Sequence, residues 1–216
     1  MRLFIASFFE QRFIEALEDI VSYARANAGR NTVKWVERSN FHLTYAFLGD
    51  LSGSGVAQAV NSVDAALEEC RAFTLSLGAF GAFPSRKNPR VLWLGLGEGI
   101  QPARDIAGKL AQALSARGLV FENRFEPHIT LGRVKSPLPD KFFARVADYA
   151  LCKTAVSALV SVEVMESVSA QDGSRPFGSP TRAMDLCPAS RSSVLGPKGR
   201  DGPLYKQIYS RRLRAL

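Results

Sequence analysis

Both histidines of this chain fall in the same four-residue pattern: His42 and Thr44 in "FHLTYAF", and His128 and Thr130 in "PHITLGR". The copies lie 86 residues apart, each after a polar, turn-like stretch, "ERSN" before the first and "ENRFE" before the second. With no third copy, the pattern is that of a duplication and not of a repeat array. Residues two apart on a strand share a face, so each histidine stands beside its threonine, while Phe41, Leu43 and Tyr45, or Ile129 and Leu131, point the other way into a core. The constraint on the fold is therefore two related halves. Packed about an approximate two-fold axis, they turn both His/Thr pairs into one cleft.

The rest of the chain supplies strands and helices for such halves. Arg2 to Phe9 reads as a first strand, and Glu10 to Ala26 as a helix with Phe13, Leu17, Ile20 and Tyr23 on one stripe and Gly29 as its stop. Thr32 to Val36 and Phe41 to Leu48 are short strands, followed by an amphipathic helix over Ser52 to Cys70. Phe73 to Leu77 and Val91 to Gly97 read as strands joined by a loop, "GAFPSRKNPR", whose prolines and basic residues disfavour regular structure. The spacing predicts a helix over Gln101 to Arg117, a strand over Pro127 to Val134, a helix over Asp140 to Leu151, and strands over Ala158 to Ser167 and Leu204 to Leu213. Strands interleaved with helices argue for an α+β or α/β chain, its sheets covered by helices on one side. From 167 to 193 the composition turns to Ser, Pro, Gly and Arg, which predicts a long mobile loop.

With 46% hydrophobic and 22% charged residues, the composition is that of a globular protein. No apolar run approaches the roughly 18 to 20 residues of a membrane-spanning helix, and the opening "MRLFIASFFEQRF" lacks the features of a signal peptide, so a cytoplasmic protein with no membrane partner is expected. Cys70, Cys152 and Cys187 are widely spaced, without CxxC pairing, and read as reduced thiols. The 28 Lys and Arg against 20 Asp and Glu leave a net charge of +8, which favours polyanionic partners.

Two imidazoles and two hydroxyls facing one another suit phosphodiester hydrolysis. An imidazole titrates near neutrality, so one histidine is able to take a proton from the nucleophile while the other delivers one to the leaving oxygen. The threonine hydroxyls are placed to hydrogen-bond non-bridging phosphate oxygens. The scheme calls for no metal and no cofactor, and the sequence carries no HExxH, Asp-rich cation loop or third histidine. A lone histidine in a strand is ordinarily a structural residue; both histidines in one repeated pattern point to shared chemistry.

With these flanks, the chain resembles the two-histidine phosphoesterases, and within them the LigT-like RNA 2′,3′-cyclic phosphodiesterases, also called 2′-5′ RNA ligases. The resemblance runs through "MRLFIA", "VKWVERSNFHLTYAFLGDL", "LGAFGAFPSRKNPRVLWLGL", "NRFEPHITLGRV", "VEVMES" and "LGPKGRDGPLYKQIY". It implies a single bilobed domain over 1–216: two pseudo-symmetric antiparallel sheets with outer helices around a central cleft. It implies a catalytic set of His42, Thr44, His128 and Thr130, with His128 as base toward water and His42 as acid, roles that are exchangeable. The expected activity is opening of an RNA 2′,3′-cyclic phosphate end to a 2′-phosphate by a monomer, with weak reverse 2′-5′ ligation.

The resemblance also implies Arg133 as a phosphate contact and Phe47 as a wall for the nucleotide, each five residues after its histidine. Strict alternation places both on the wrong face, so a bulge is required, for which Gly132 is the candidate near Arg133; no glycine precedes Phe47. Arg86, Lys87 and Arg90 are candidates for an RNA path, with a solvated loop as the simpler reading. "GLGEG" at Gly95 to Gly99 lacks the spacing of a phosphate loop and reads as a turn. Two other readings use the same residues: a nucleotide- or RNA-binding protein without turnover, and hydrolysis of 2′-5′ oligonucleotides or of an ADP-ribose cyclic phosphate. Relatives pass quickly from "MES" to the "GP" turn, and the stretch 167–193 is the departure.

Overall fold

Each helix forms where one apolar stripe can be buried. In the computed structural model, which describes residues 1–122, 124–168 and 203–215, helix α1 (Gln11–Ala28) buries Phe13, Leu17, Ile20, Val21, Ala24 and Ala28 and stops at Gly29, whose φ of 88° suits a residue without Cβ. Helix α2 (Gly53–Leu67) buries Ala59, Val63 and Leu67; α3 (Ile100–Ala116) buries Ala103, Ile106, Ala107, Leu110 and Leu114; α4 (Phe142–Leu151) buries Phe142, Val146 and Ala150.

Nine strands are present among the described residues: β1 (Arg2–Ser7), β2 (Val33–Trp35), β3 (Leu43–Asp50), β4 (Phe73–Pro84), β5 (Pro89–Leu96), β6 (His128–Val134), β7 (Val156–Leu159), β8 (Ser161–Val168) and β9 (Leu204–Arg212). They run in the order β7-β4-β5-β6-β3-β1-β8-β9, with β2 on β6, and every named pair is antiparallel. The α+β class and the two antiparallel sheets are thus present, but the sheets join edge to edge. Their seam is the β3–β6 pair, which meets on one rung, Leu43 opposite Ile129.

The helices cover the halves crosswise. Helix α1 packs with α4 and β7 over the β4–β7 half, although β1, which precedes it, belongs to the other half; α2 and α3 pack together over β3, β8 and β9. Leu43, Ile129 and Leu131 at the seam are fully buried, as are Leu17, Val63, Leu92 and Leu114, so one apolar layer runs beneath both halves. At about 25 cal/mol per Å² of apolar surface, that layer is the main stabilising contribution.

Three boundaries differ from the sequence expectation. The predicted "GAFPSRKNPR" loop is mostly hairpin: β4 continues to Pro84 and β5 begins at Pro89, leaving Ser85 to Asn88 as the tip. Pro84 pairs with Pro89 at the open end of the ladder, where the absent N–H groups cost least. The single strand expected over Ala158 to Ser167 is two, broken at Val160, because β7 joins β4 while β8 joins β1 in the other half. Ser167 and Val168 are strand, paired with Tyr205 and Leu204, so the predicted mobile loop does not begin at 167. The remainder of 167–193, with Cys187, lies outside the described residues.

Candidate active site

The seam sets the site. The Leu43–Ile129 rung is the one pairing of β3 with β6, and it is flanked by His42 and Thr44 on one strand and by His128 and Thr130 on the other. All four side chains are part-buried on the face away from the helices, while the alternating Leu43, Ile129 and Leu131 fill the core. The two imidazoles are close enough for the charge of one to act on the other.

The imidazoles are held alike. His42 Nδ1 donates to the Asn40 carbonyl at 2.7 Å, and His128 Nδ1 to the Glu126 carbonyl, also at 2.7 Å. A carbonyl only accepts, so each Nδ1 carries hydrogen and each Nε2 is left as the nitrogen that gains or loses a proton. Burial pushes the His42 imidazole down to about 4; the Asn40 carbonyl pulls it upward, and the neighbouring His128 adds to the depression. His42 is therefore neutral near pH 7.

The requirement of a bulge for Phe47 and Arg133 is met in both copies at the same place. Between Ala6↔Thr44 and Ile5↔Ala46, Tyr45 is the extra residue of β3; between Trp93↔Thr130 and Leu92↔Gly132, Leu131 is the extra residue of β6. Each bulge lies three residues after its histidine and reverses the alternation. Phe47 thus pairs with Phe4, whose ring meets His42 at 5.1 Å, and Arg133 pairs with Val91, on the face of Trp93 and Gly95 opposite Thr130 and His128. Gly132 has a different task from the one expected of it. A Cβ there would lie 2.6 Å from Val33 Cγ1 and 3.2 Å from Trp35, so the glycine admits β2 against β6. Phe47 is 52% exposed and is not part of the core.

Several neighbours were not singled out from the sequence. Phe8 and Tyr205 approach His42 at 5.9 and 5.4 Å, Tyr205 with its ring plane at 87° to the imidazole, and Phe83 meets His128 at 5.0 Å and 89°. Burial pushes the Tyr205 phenol upward, while the charge of Arg133, a residue of the other half, opposes the shift. The alternation in "FIASFF" was the available signal for Phe4; Phe83 had none, because its prolines read as a loop. At the hairpin tip, Arg86, Lys87 and Arg90 are exposed, and Arg86 folds back onto the Phe80 carbonyl. Gly95 to Gly99 leads from β5 into α3, as expected of a turn. A cavity of about 200 Å³ between β3 and α3, lined by Tyr45, Ala46, Arg104 and Phe125, lies on the helix side and contains neither imidazole.

The fold and the family agree with the resemblance to the two-histidine phosphoesterases. The sequence pattern of the family described as LigT like Phosphoesterase matches residues 9–93 and 94–159, and the chain belongs to that family. An RNA 2′,3′-cyclic phosphodiesterase of Aquifex aeolicus is 33% identical over 105 residues, 48% of this chain and 56% of that protein. One of Aeropyrum pernix is 32% identical over 146 residues, 65% of this chain and 80% of that protein. The match thus spans little more than half the length of the Aquifex relative. The crystal structure of E. coli LigT in apo form superposes with a TM-score of 0.62 at 21% identity, covering 99% of this chain and 97% of the other, a likeness of fold. Among the described residues no helix is long and apolar enough to cross a membrane.

Proposed function

We propose that this protein hydrolyses terminal 2′,3′-cyclic phosphates of RNA to 2′-phosphates by acid/base catalysis between His42 and His128. The observation that carries this reading is the matched pair of Nδ1-anchored imidazoles, each with its free Nε2 on the face it shares with Thr44 and Thr130. His128 Nε2 takes a proton from water as its oxygen attacks phosphorus. The bond from phosphorus to O3′ breaks, and His42 Nε2–H protonates O3′, leaving a 3′-hydroxyl and a 2′-phosphate. Thr44 and Thr130 donate to non-bridging oxygens, and Phe47 supports the terminal base by stacking.

The acid role needs a protonated His42, which burial disfavours. The substrate supplies the missing counter-charge. An anion at about 4 Å and an effective dielectric near 20 contributes about 4 kcal/mol, roughly three pH units, enough to bring His42 to the working range. Substrate entry thus charges the acid. Each imidazole would then stand at its own side of the phosphorus, which suits an in-line displacement.

The test is incubation of the purified protein, with chelator present, with 2′,3′-cyclic mononucleotides, cyclic-phosphate-ended RNA and 2′-5′ dinucleotides, identifying the isomer formed. Formation of the 2′-phosphate supports the reading. Release of a 3′-phosphate, or no turnover of either cyclic substrate, overturns it. Weak 2′-5′ joining is expected only at high concentrations of both ends, because water competes in the reverse direction.

A further inference from the structure

The site described above needs only one nucleotide, yet the sheet carries cationic charge beyond it. Strand β2 pairs with β6 so that Lys34 is directly opposite Arg133, between the rungs Val33↔Val134 and Trp35↔Gly132. Directly paired residues present their side chains to the same face. The bulge at Leu131 has already turned Arg133 to the face of His128 and Thr130, so Lys34 stands on that face as well. Both residues are exposed, and no acidic side chain of the described residues lies within ion-pair distance of either.

Like charges set directly opposite on paired strands repel, and such a pair is stabilised by a shared anion. Arg133 is flanked on β6 by Val91 of β5 on one edge and by Lys34 of β2 on the other, the edge that also meets β3 at the seam, so both cations lie beyond Thr130 along β6. A chain of phosphates leaving the imidazoles along β6 passes Thr130 and then meets Arg133 and Lys34 together.

We infer that Lys34 and Arg133 form a binding site for the phosphodiester on the 5′ side of the reacting nucleotide, so that this protein selects RNA oligomers over mononucleotides. The inference rests on the proposed hydrolysis for the orientation of the RNA. It extends that reading from the cyclic end to the next phosphate along the strand. Lys34 is the residue that separates the two, since a mononucleotide has no such phosphate to offer it.

The test uses the full chain and two readouts. Hydrolysis is measured for a 2′,3′-cyclic mononucleotide and for a six-nucleotide RNA with the same cyclic end. Binding of that RNA, labelled at its 5′ end, is followed by fluorescence anisotropy at several salt concentrations. Lys34→Ala is expected to lower kcat/KM for the RNA at least fivefold more than for the mononucleotide, mainly through KM. It should also reduce the slope of log K against log salt by about 0.7, the value for one phosphate contact on a single strand. Lys34→Arg should restore both.

Equal effects on the two substrates, or an unchanged salt slope, overturn the assignment. A wild-type protein that hydrolyses neither substrate but binds the RNA with this dependence on Lys34 removes the hydrolysis reading and upholds the basic pair. Hydrolysis that is intact and indifferent to Lys34 does the opposite.

Discussion

His42 and His128 are anchored by the same bond, Nδ1 to the carbonyl two residues upstream, at 2.7 Å in both cases. The duplication therefore reaches below the side chain to the tautomer. A cleft built this way presents two Nε2 atoms with one common state and leaves the surroundings to make them differ.

Replacing either imidazole should remove turnover without unfolding the chain. His42→Ala and His128→Ala are each expected to lose about 10²–10⁴ in kcat on a cyclic-phosphate RNA. The double variant should lose little more than either one, because the two groups act as a unit. Single-turnover rates beside thermal unfolding curves check this; a double variant whose loss equals the product of the single losses would contradict the shared step.

Binding should be coupled to proton uptake. A 2′,3′-cyclic mononucleotide keeps a constant charge near neutral pH, so titrating it into the inactive His128→Ala protein isolates the remaining imidazole. Calorimetry at pH 7 in buffers of differing ionisation enthalpy is expected to show about half a proton absorbed per ligand, because an imidazole raised by roughly three units from about 4 is half protonated there. No buffer dependence would mean that His42 stays neutral throughout.

The same imidazole affects acid stability. Its folded value of about 4 lies below the ordinary value of 6.5, so between these the unfolded chain binds more protons. This contribution to stability is complete above pH 6.5 and declines as pH falls toward 4, by at most about 1.4 kcal/mol per unit. Urea unfolding at pH 7 and pH 5 should show a smaller difference for His42→Gln than for the wild type.

Phe47 offers a test of site against core. Phe47→Ala removes a side chain that is 52% exposed, so stability should change by less than about 0.5 kcal/mol. Loss of a stacking surface costs about 1–3 kcal/mol per base, so KM for the cyclic mononucleotide should rise from several-fold to about a hundredfold. Unaltered KM beside a marked fall in stability would return Phe47 to the core.

Gly132→Ala should act through β2. Its methyl group would enter the space of Val33 Cγ1 and meet the Lys34 carbonyl at 3.2 Å. Overpacking of this kind costs about 1–3 kcal/mol, read as a lower urea midpoint. Displacement of β2 should at the same time weaken RNA binding more than mononucleotide turnover.

The duplication, the core-facing alternation and the helix stripes were legible because they are periodic. Leu43 and Ile129 are both buried where a period of two puts them, and α1 ends at the glycine its pattern points to. What periodicity cannot carry is an extra residue: Tyr45 and Leu131 look like any strand residue, and only pairing with β1 and β5 marks them as bulges. Nor could local composition reveal the long hairpin. Gly81 leaves room for the Trp93 ring, Trp93 packs on Phe83, and Phe83 reaches His128, a chain of contacts decided across strands and hidden by the prolines at the tip. Tyr205 was equally silent, since its place beside His42 follows from β9 lying on β8.

The crosswise covering of the half-sheets by α1 and α3 bears on how the polypeptide tolerates being cut. Scission between Glu98 and Ile100 would yield an N-terminal piece holding β1, β3, β4, β5, α1 and α2, while α3, which packs on α2 and β3, has departed with α4, β6, β7, β8 and β9 in the other fragment. Neither piece owns a complete lobe. Such fragments should regain structure only by complementing each other, and a genetic split at the midpoint of the duplication would behave as an obligate heterodimer.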